Sequence, residues 1–193
     1  MNTQGSTTVI WCALAILGSI RIGHAQNPAQ TGAAADTTVV ANPTYISIPL
    51  EVTVNRPAAE VWKRVGKFCD IGEWLQIPCK ITSGTDGEFD AVRSVAGEVL
   101  VGKTELSYTY TQTVKAGRPY NLYHGTLEAR PVTATTSKLV YTLIFDNSML
   151  ADDAARERDR AQKAALFTRA LQNMKTLAEG GMLPPPPARG GRQ

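Results

Sequence analysis

Arg93 and Glu98, five residues apart, and Glu105 beyond them are the side chains best suited to acid–base chemistry in this sequence. A guanidinium can hold a carboxylate or enolate oxygen while a carboxyl moves a proton, a minimal arrangement for cyclisation or dehydration. The same two charges could equally form a structural ion pair at the rim of a sheet, worth little if exposed. Tyr108, Tyr110, Tyr123 and Tyr141 are the other candidates, each at an expected inward position of successive strands. A tyrosine brings apolar area plus a hydroxyl that needs a partner. A packed core more often uses Leu, Val or Phe at such positions, whereas in a cavity a ligand or water can satisfy the phenol. Hydroxyls reaching backbone carbonyls at the sheet edge are the competing reading.

Histidine is scarce. Of two in the chain, His24 lies in the N-terminal segment expected to be cleaved, and His124 falls on the expected wet face with Thr126 and Glu128. That supply argues against a Ser–His–Asp or Cys–His catalyst and against zinc or non-haem iron. No metal and no cofactor is expected.

The cysteines are read through the compartment. Residues Val9 to Ile20 form an apolar run of signal-peptide length, too short to span a bilayer, and Gly23 and Ala25 are small residues suited to cleavage after Ala25. The preceding "MNTQGSTT" lacks the usual Lys or Arg. Cys12 leaves with residues 1–25, so an exported chain keeps Cys69 and Cys79, an even pair in an oxidising compartment. A disulfide is expected there. A secreted or periplasmic location follows, with no stable membrane span after cleavage.

Loss of Arg21 lowers the net charge from +3 to +2, and Arg189 and Arg192 lie in the tail, leaving a nearly neutral body. Nucleic acid needs a concentrated basic face, so it is not an expected partner.

The elements that must position these residues follow from periodicity. Residues 26–43 are small, polar and Pro-interrupted, a flexible leader, and residues 180–193 run from a Gly pair into polyproline and Gly/Arg coil, a disordered tail. Between them, residues 44–179 are the size of one domain. "YISIPLEVTV" alternates as a half-buried strand, with Pro49 suggesting an edge. "NRPAAEVWKRVGKF" changes period, placing Val61, Val65 and Phe68 on one helical face, and a second short helix covers "DIGEWL". Short strands follow, then "TELSYTYTQT", "NLYHGTLEARP" and "KLVYTLIFD", an antiparallel series with one Thr-rich wet face. The last element is a long helix with Asp152 and Asp153 at its positive end. Its expected stripe is Ala164, Phe167, Leu171, Met174 and Ala178, opposite Arg156, Arg160 and Lys163.

Several short stretches, taken in order, carry a family likeness. "VNRPAAEVWKRVGKFCDIGEW" holds Pro57, Val61, Trp62, Phe68, Ile71 and Trp74 at the spacing of an apolar strand leading to P-x-x-x-V-W and a later Trp. "WLQIPC" has its proline at Pro78 and Leu75 at a usual His position; "AVRSV" supplies Arg93, "EVL" supplies Glu98, and "SYTYT" and "PYNLY" follow. Over about residues 45–179 the chain resembles the START-like or SRPBCC superfamily, and most closely its exported polyketide-cyclase and lipid-transport members. The resemblance implies an α+β helix-grip fold: a curved antiparallel sheet wrapped around a long C-terminal helix, with two short helices after the first strand. It also implies a cavity between sheet and helix for a lipid, sterol or polyketide-like molecule. The expected lining is Trp74, Arg93, Glu98, Tyr108, Tyr110, Tyr123, Tyr141, Phe167 and Leu171. Three functions stay open: a non-enzymatic carrier of a hydrophobic molecule, a cofactor-independent cyclase, dehydratase or related lyase using Glu98 and Arg93, and an envelope interaction or stress domain with a vestigial pocket. Fold alone does not choose between them.

Overall fold

The computed structural model describes residues 42–115 and 120–185. The expected signal peptide, nearly all of the leader and the tail beyond residue 185 lie outside the described residues.

Strand β1 (Tyr45–Val54) is followed by helices α1 (Ala58–Val65) and α2 (Ile71–Trp74). Six strands come next: β2 (Ile81–Ser83), β3 (Val92–Arg93), β4 (Glu98–Thr104), β5 (Ser107–Gln112), β6 (Tyr123–Pro131) and β7 (Ser137–Asp146). Helix α3 (Asp153–Ala178) closes the domain. The sheet is antiparallel throughout in the order β1-β7-β6-β5-β4-β3-β2. This is the helix-grip architecture, and Pro49 sits on an edge strand, as a residue lacking an N–H donor should.

Alternation places the aromatic groups. In β5 Tyr108 and Tyr110 point inward while Ser107, Thr109 and Thr111 face out, and β6 and β7 repeat the pattern with Tyr123, Leu127, Tyr141, Leu143 and Phe145 inside. Helix α1 turns Ala58, Val61 and Val65 inward; its first residue is Ala58, and Pro57 caps it from outside, with its carbonyl accepting from the Val61 N–H at 3.1 Å.

Cys69 and Cys79 form a disulfide across the segment holding α2. The Trp74 carbonyl accepts from Asn173 Nδ2 at 2.8 Å, which ties α2 to α3. Among the described residues, no helix is long and apolar enough to cross a membrane.

Helix α3 starts with Asp152 Oδ1 accepting from the Ala155 N–H at 2.6 Å, an N-cap. Its buried stripe is Phe167, Ala170, Leu171, Met174 and Leu177, while Ala164 and Ala178 lie at its margins. Arg156 and Lys163 do not face solvent as expected. Steps of three and four residues continue the stripe back through Lys163, Asp159 and Arg156, so these side chains lay their stems along the interior. The tail also begins later than residue 180. Leu183 packs against the core, and the Pro184 carbonyl accepts from Gln76 Nε2 at 2.6 Å.

Candidate functional site

A cavity of about 490 Å³ opens between the end of α1 and the β4–β5 hairpin. Trp62, Phe68, Leu100 and Tyr108 form its apolar wall. The Trp62 and Tyr108 ring centroids are 5.7 Å apart, and Phe68 meets Tyr108 edge-on at 5.5 Å. Trp62 can lie flat along α1 because residue 66 is glycine: a Cβ there would come within 2.3 Å of the indole. Lys63 reaches the rim from α1, Lys67 from just beyond the helix's C-cap Gly66, and Lys103 from β4.

Lys103 owes its direction to a β-bulge. Leu100 pairs with Tyr110, yet Gly102 pairs with Thr109 and Lys103 with Tyr108, so Val101 is the extra residue. The bulge shifts the phase of β4 by one, and Lys103 shares the face of Tyr108 instead of pointing away. Regular alternation from Leu100 would have put it outside.

Behind the Phe68 ring lies the Arg93–Glu98 pair. A tight turn with positive φ at Ala96 (54°) and Gly97 (68°) sets β3 against β4, and the register places Arg93 directly opposite Glu98. Arg93 Nε donates to Glu98 Oε2 at 2.6 Å and Nη1 donates to the Phe68 carbonyl at 2.5 Å. Nη2 lies 2.6 Å from the same Oε2 but outside hydrogen-bond geometry, so it has no partner of its own. Gln112 Nε2 donates to the other Glu98 oxygen at 3.1 Å. The guanidinium is stacked between aromatic faces, 4.2 Å from the Phe68 ring centroid and 4.6 Å from that of Tyr110. Burial works against the Arg93 charge, but the tyrosines and Glu98 around it outweigh burial and raise its pKa. Burial pushes the Glu98 carboxyl upward, with Arg93 and Gln112 opposing. Arg93 has 0% exposure and Glu98 4%, so this is not the exposed rim pair considered above but a buried one.

The expected gap between sheet and α3 is filled at the level of Tyr110 and Tyr141. Their hydroxyls hydrogen-bond to each other at 2.9 Å, and Tyr141 packs on Phe167 at 4.5 Å between centroids and on Trp74 at 6.3 Å. Leu171 is buried beside them. Tyr110 also fills the place a side chain at Gly125 would need, since a Cβ there would lie 2.4 Å from its ring. Tyr123 stacks on Phe145. Of the nine residues expected to line the ligand, Tyr108 lines the cavity described above. Trp74, Arg93, Glu98, Tyr110, Tyr123, Tyr141, Phe167 and Leu171 lie in the interior behind it. Three buried polar atoms of this group, Tyr108 Oη, Trp74 Nε1 and Arg93 Nη2, have no hydrogen-bond partner among the described residues. Burial raises the Tyr108 phenol's pKa, with the nearby Arg93 guanidinium pulling it back.

A second polar group sits where α3 crosses β6 and β7. Tyr120 Oη donates to Asp159 Oδ1 at 2.6 Å, Asn147 Nδ2 donates to Oδ2 at 3.1 Å, and Lys163 Nζ bonds both Asp159 and Tyr120. The ammonium lies over the rings of Tyr120 at 4.3 Å and Phe145 at 4.9 Å. Desolvation lowers the pKa of Lys163; it would raise that of Asp159, but Lys163, Tyr120 and Asn147 together hold that carboxyl below its usual range.

Sequence reasoning passed over Trp62, Lys63, Lys67, Leu100 and Lys103 as lining residues. One signal was available: Trp62 is a large aromatic beside, not on, the Ala58–Val61–Val65 face, with Lys63 and Lys67 flanking it. Lys103 carried no such signal.

The family model described as polyketide cyclase / dehydrase and lipid transport matches residues 45–179. No protein of curated function matches the chain. Among solved structures, the Zhui aromatase/cyclase from Streptomyces sp. R1128 is similar at 18% identity and a TM-score of 0.56, over 72% of this chain and 100% of that one. A Thermobifida fusca protein has 21% identity and a TM-score of 0.54, over 72% and 97% of the two chains. The di-domain aromatase/cyclase BexL of the BE-7585A biosynthetic pathway has 18% identity and a TM-score of 0.51, over 69% of this chain and 46% of its own. At these identities the likeness is one of fold.

Proposed function

Because the chain belongs to the polyketide cyclase / dehydrase and lipid transport family, we propose that it binds a hydrophobic small molecule in the cavity beside α1. The observation that carries this reading is an open space of about 490 Å³ walled by Trp62, Phe68, Leu100 and Tyr108. Small-molecule sites are commonly ~300–1,000 Å³, mainly apolar, with a few polar groups at fixed positions. In the same reading residues 1–25 are removed on export, residues 44–179 are the binding domain, and the Cys69–Cys79 disulfide suits an oxidising compartment.

A lyase working through Glu98 and Arg93 has less support. A general acid or base must reach its substrate. Here Glu98 is engaged by Arg93 and Gln112, and the Phe68 and Tyr108 rings stand between the pair and the cavity. Binding without turnover is the reading these contacts favour.

The test has two arms. Native mass spectrometry of protein purified from its own host should show a co-purified lipid-like mass. Trp62→Ala should weaken the binding of a fluorescent apolar probe by the folded protein about tenfold or more, in line with losing a large aromatic contact. Unchanged affinity in Trp62→Ala would remove the cavity from the reading.

A further inference from the structure

The walls of the cavity are apolar, but its rim is charged, and mostly with one sign. Lys63, Lys67 and Lys103 line it against a single carboxylate, Asp86. Lys103 is committed: its Nζ donates to the Gly87 carbonyl and to Glu88 Oε2, each at 2.9 Å, which pins the Asp86–Glu88 turn to the hairpin. Lys63 and Lys67 are not. Among the described residues neither has a carboxylate at ion-pairing distance. The acids nearest in sequence are Glu60, three residues before Lys63 on α1, and Asp70, three residues after Lys67; Asp70 has one oxygen occupied by the Lys67 backbone N–H at 2.8 Å. Lys63 from α1 and Lys67 from just beyond its C-cap both line the rim beside Trp62.

We infer that the occupant is an amphipathic organic anion, with its apolar body on Trp62, Phe68 and Tyr108 and its carboxylate at Lys63 and Lys67. This rests on the hydrophobic-binding reading and adds a ligand class to it. Uncommitted lysines above an aromatic wall suit a group that needs both charge and a greasy surface. A neutral sterol or hydrocarbon would gain nothing from them. Both ammonium groups line one rim, and an anion there would offset their mutual repulsion. Two solvent-exposed ion contacts should together favour the acid over a neutral analogue by about tenfold. The preference should shrink with added salt, because the rim is open to solvent.

The experiment titrates the purified protein with 11-(dansylamino)undecanoic acid and with its methyl ester, followed by dansyl fluorescence. At low ionic strength the acid should bind about tenfold more tightly than the ester, and at 0.5 M NaCl the ratio should fall to about two or less. Lys63→Gln/Lys67→Gln should erase the preference, bringing the acid-to-ester affinity ratio to about one, and the melting temperature should stay unchanged because both side chains are exposed. Equal binding of acid and ester by the wild type would overturn the anion assignment and leave hydrophobic binding standing. A preference that survives in the double variant would overturn the assignment to these two lysines. Binding of neither probe would overturn this inference together with the reading beneath it.

Discussion

Glu98→Gln is the sharpest test of how the interior is held. The substitution keeps the shape of residue 98 but removes its charge, leaving the Arg93 guanidinium with 0% exposure and no counter-ion. Its remaining fixed partner is the Phe68 carbonyl at 2.5 Å, and the flanking Phe68 and Tyr110 rings offer only cation–π contact. The amide must also present a donor, so it cannot accept from both Arg93 and Gln112 as the carboxylate does. Removing one partner of a buried pair costs about 3–5 kcal/mol. In a domain of this size that lowers the melting temperature by about 10–20 °C. Arg93→Met/Glu98→Leu should behave differently. Both charges go, leaving the Phe68 carbonyl and Gln112 each short of one partner, at about 1 kcal/mol apiece. The double variant should therefore stay within about 2 kcal/mol of the wild type, less than the cost of Glu98→Gln alone. Urea unfolding followed by circular dichroism and tryptophan fluorescence gives all three free energies, and probe titration shows whether the folded fraction still binds. A Glu98→Gln loss below about 1 kcal/mol would refute the reasoning, as would a double variant costing as much as Glu98→Gln or more.

Cys69→Ser/Cys79→Ser, opening a loop of sequence separation 10, should cost about 3 kcal/mol in the chain-entropy model, read as a shift in the urea midpoint. Gly125→Ala should cost about 3 kcal/mol by displacing the Tyr110 ring and parting its hydroxyl from Tyr141, whereas Gly102→Ala, whose Cβ would meet Thr109 at a looser 3.3 Å, should be nearly neutral by thermal melt. Asp159 has a folded pKa below the ordinary 3.8, so its contribution is complete above that value and is lost as pH falls through the lower, folded value. Asp159→Asn should therefore lower stability by about 1–2 kcal/mol at pH 7, the figure discounted because the cluster is partly solvated, and the difference from wild type should vanish in melts taken at the lowest pH that still permits folding.

Period-two alternation told which way the tyrosines point because one face of the sheet is buried, and a register error would expose every aromatic at once. The same regularity hid Lys103, since a bulge costs one residue of phase and nothing in "EVLVGKTELS" marks Val101 as the extra one. Charge misled in the same way on α3. Lys163 and Arg156 read as solvent-facing by type, but their stems are apolar and their heads find Asp159 and the Leu150 carbonyl, so spacing by three and four decides over polarity. The cavity's position could not be read for a different reason. Whether four inward tyrosines leave space depends on whether they meet: Tyr110 reaches Tyr141 across β6 only because residue 125 has no side chain, and that contact closes the interior.

These two glycines account for where the open space lies. At Gly125 the missing side chain lets Tyr110 fold inward and fill the region under α3. At Gly66 it lets Trp62 lie along α1, making a wall on the outside of that filled region. Between the two, Phe68 shows one side to the Arg93 guanidinium and another to the cavity, so the rigid ion pair fixes a ring that a ligand would touch. The buried charges then act on binding through position: they hold Phe68 from behind, as its carbonyl bond to Arg93 also does. A fixed aromatic wall spends less conformational entropy on binding than one that must be ordered by the ligand. On this account a variant that loosens the pair should weaken probe affinity in the folded fraction by a small factor, without altering the acid-over-ester ratio, because Lys63 and Lys67 make no hydrogen bond or ion pair with Arg93 or Glu98.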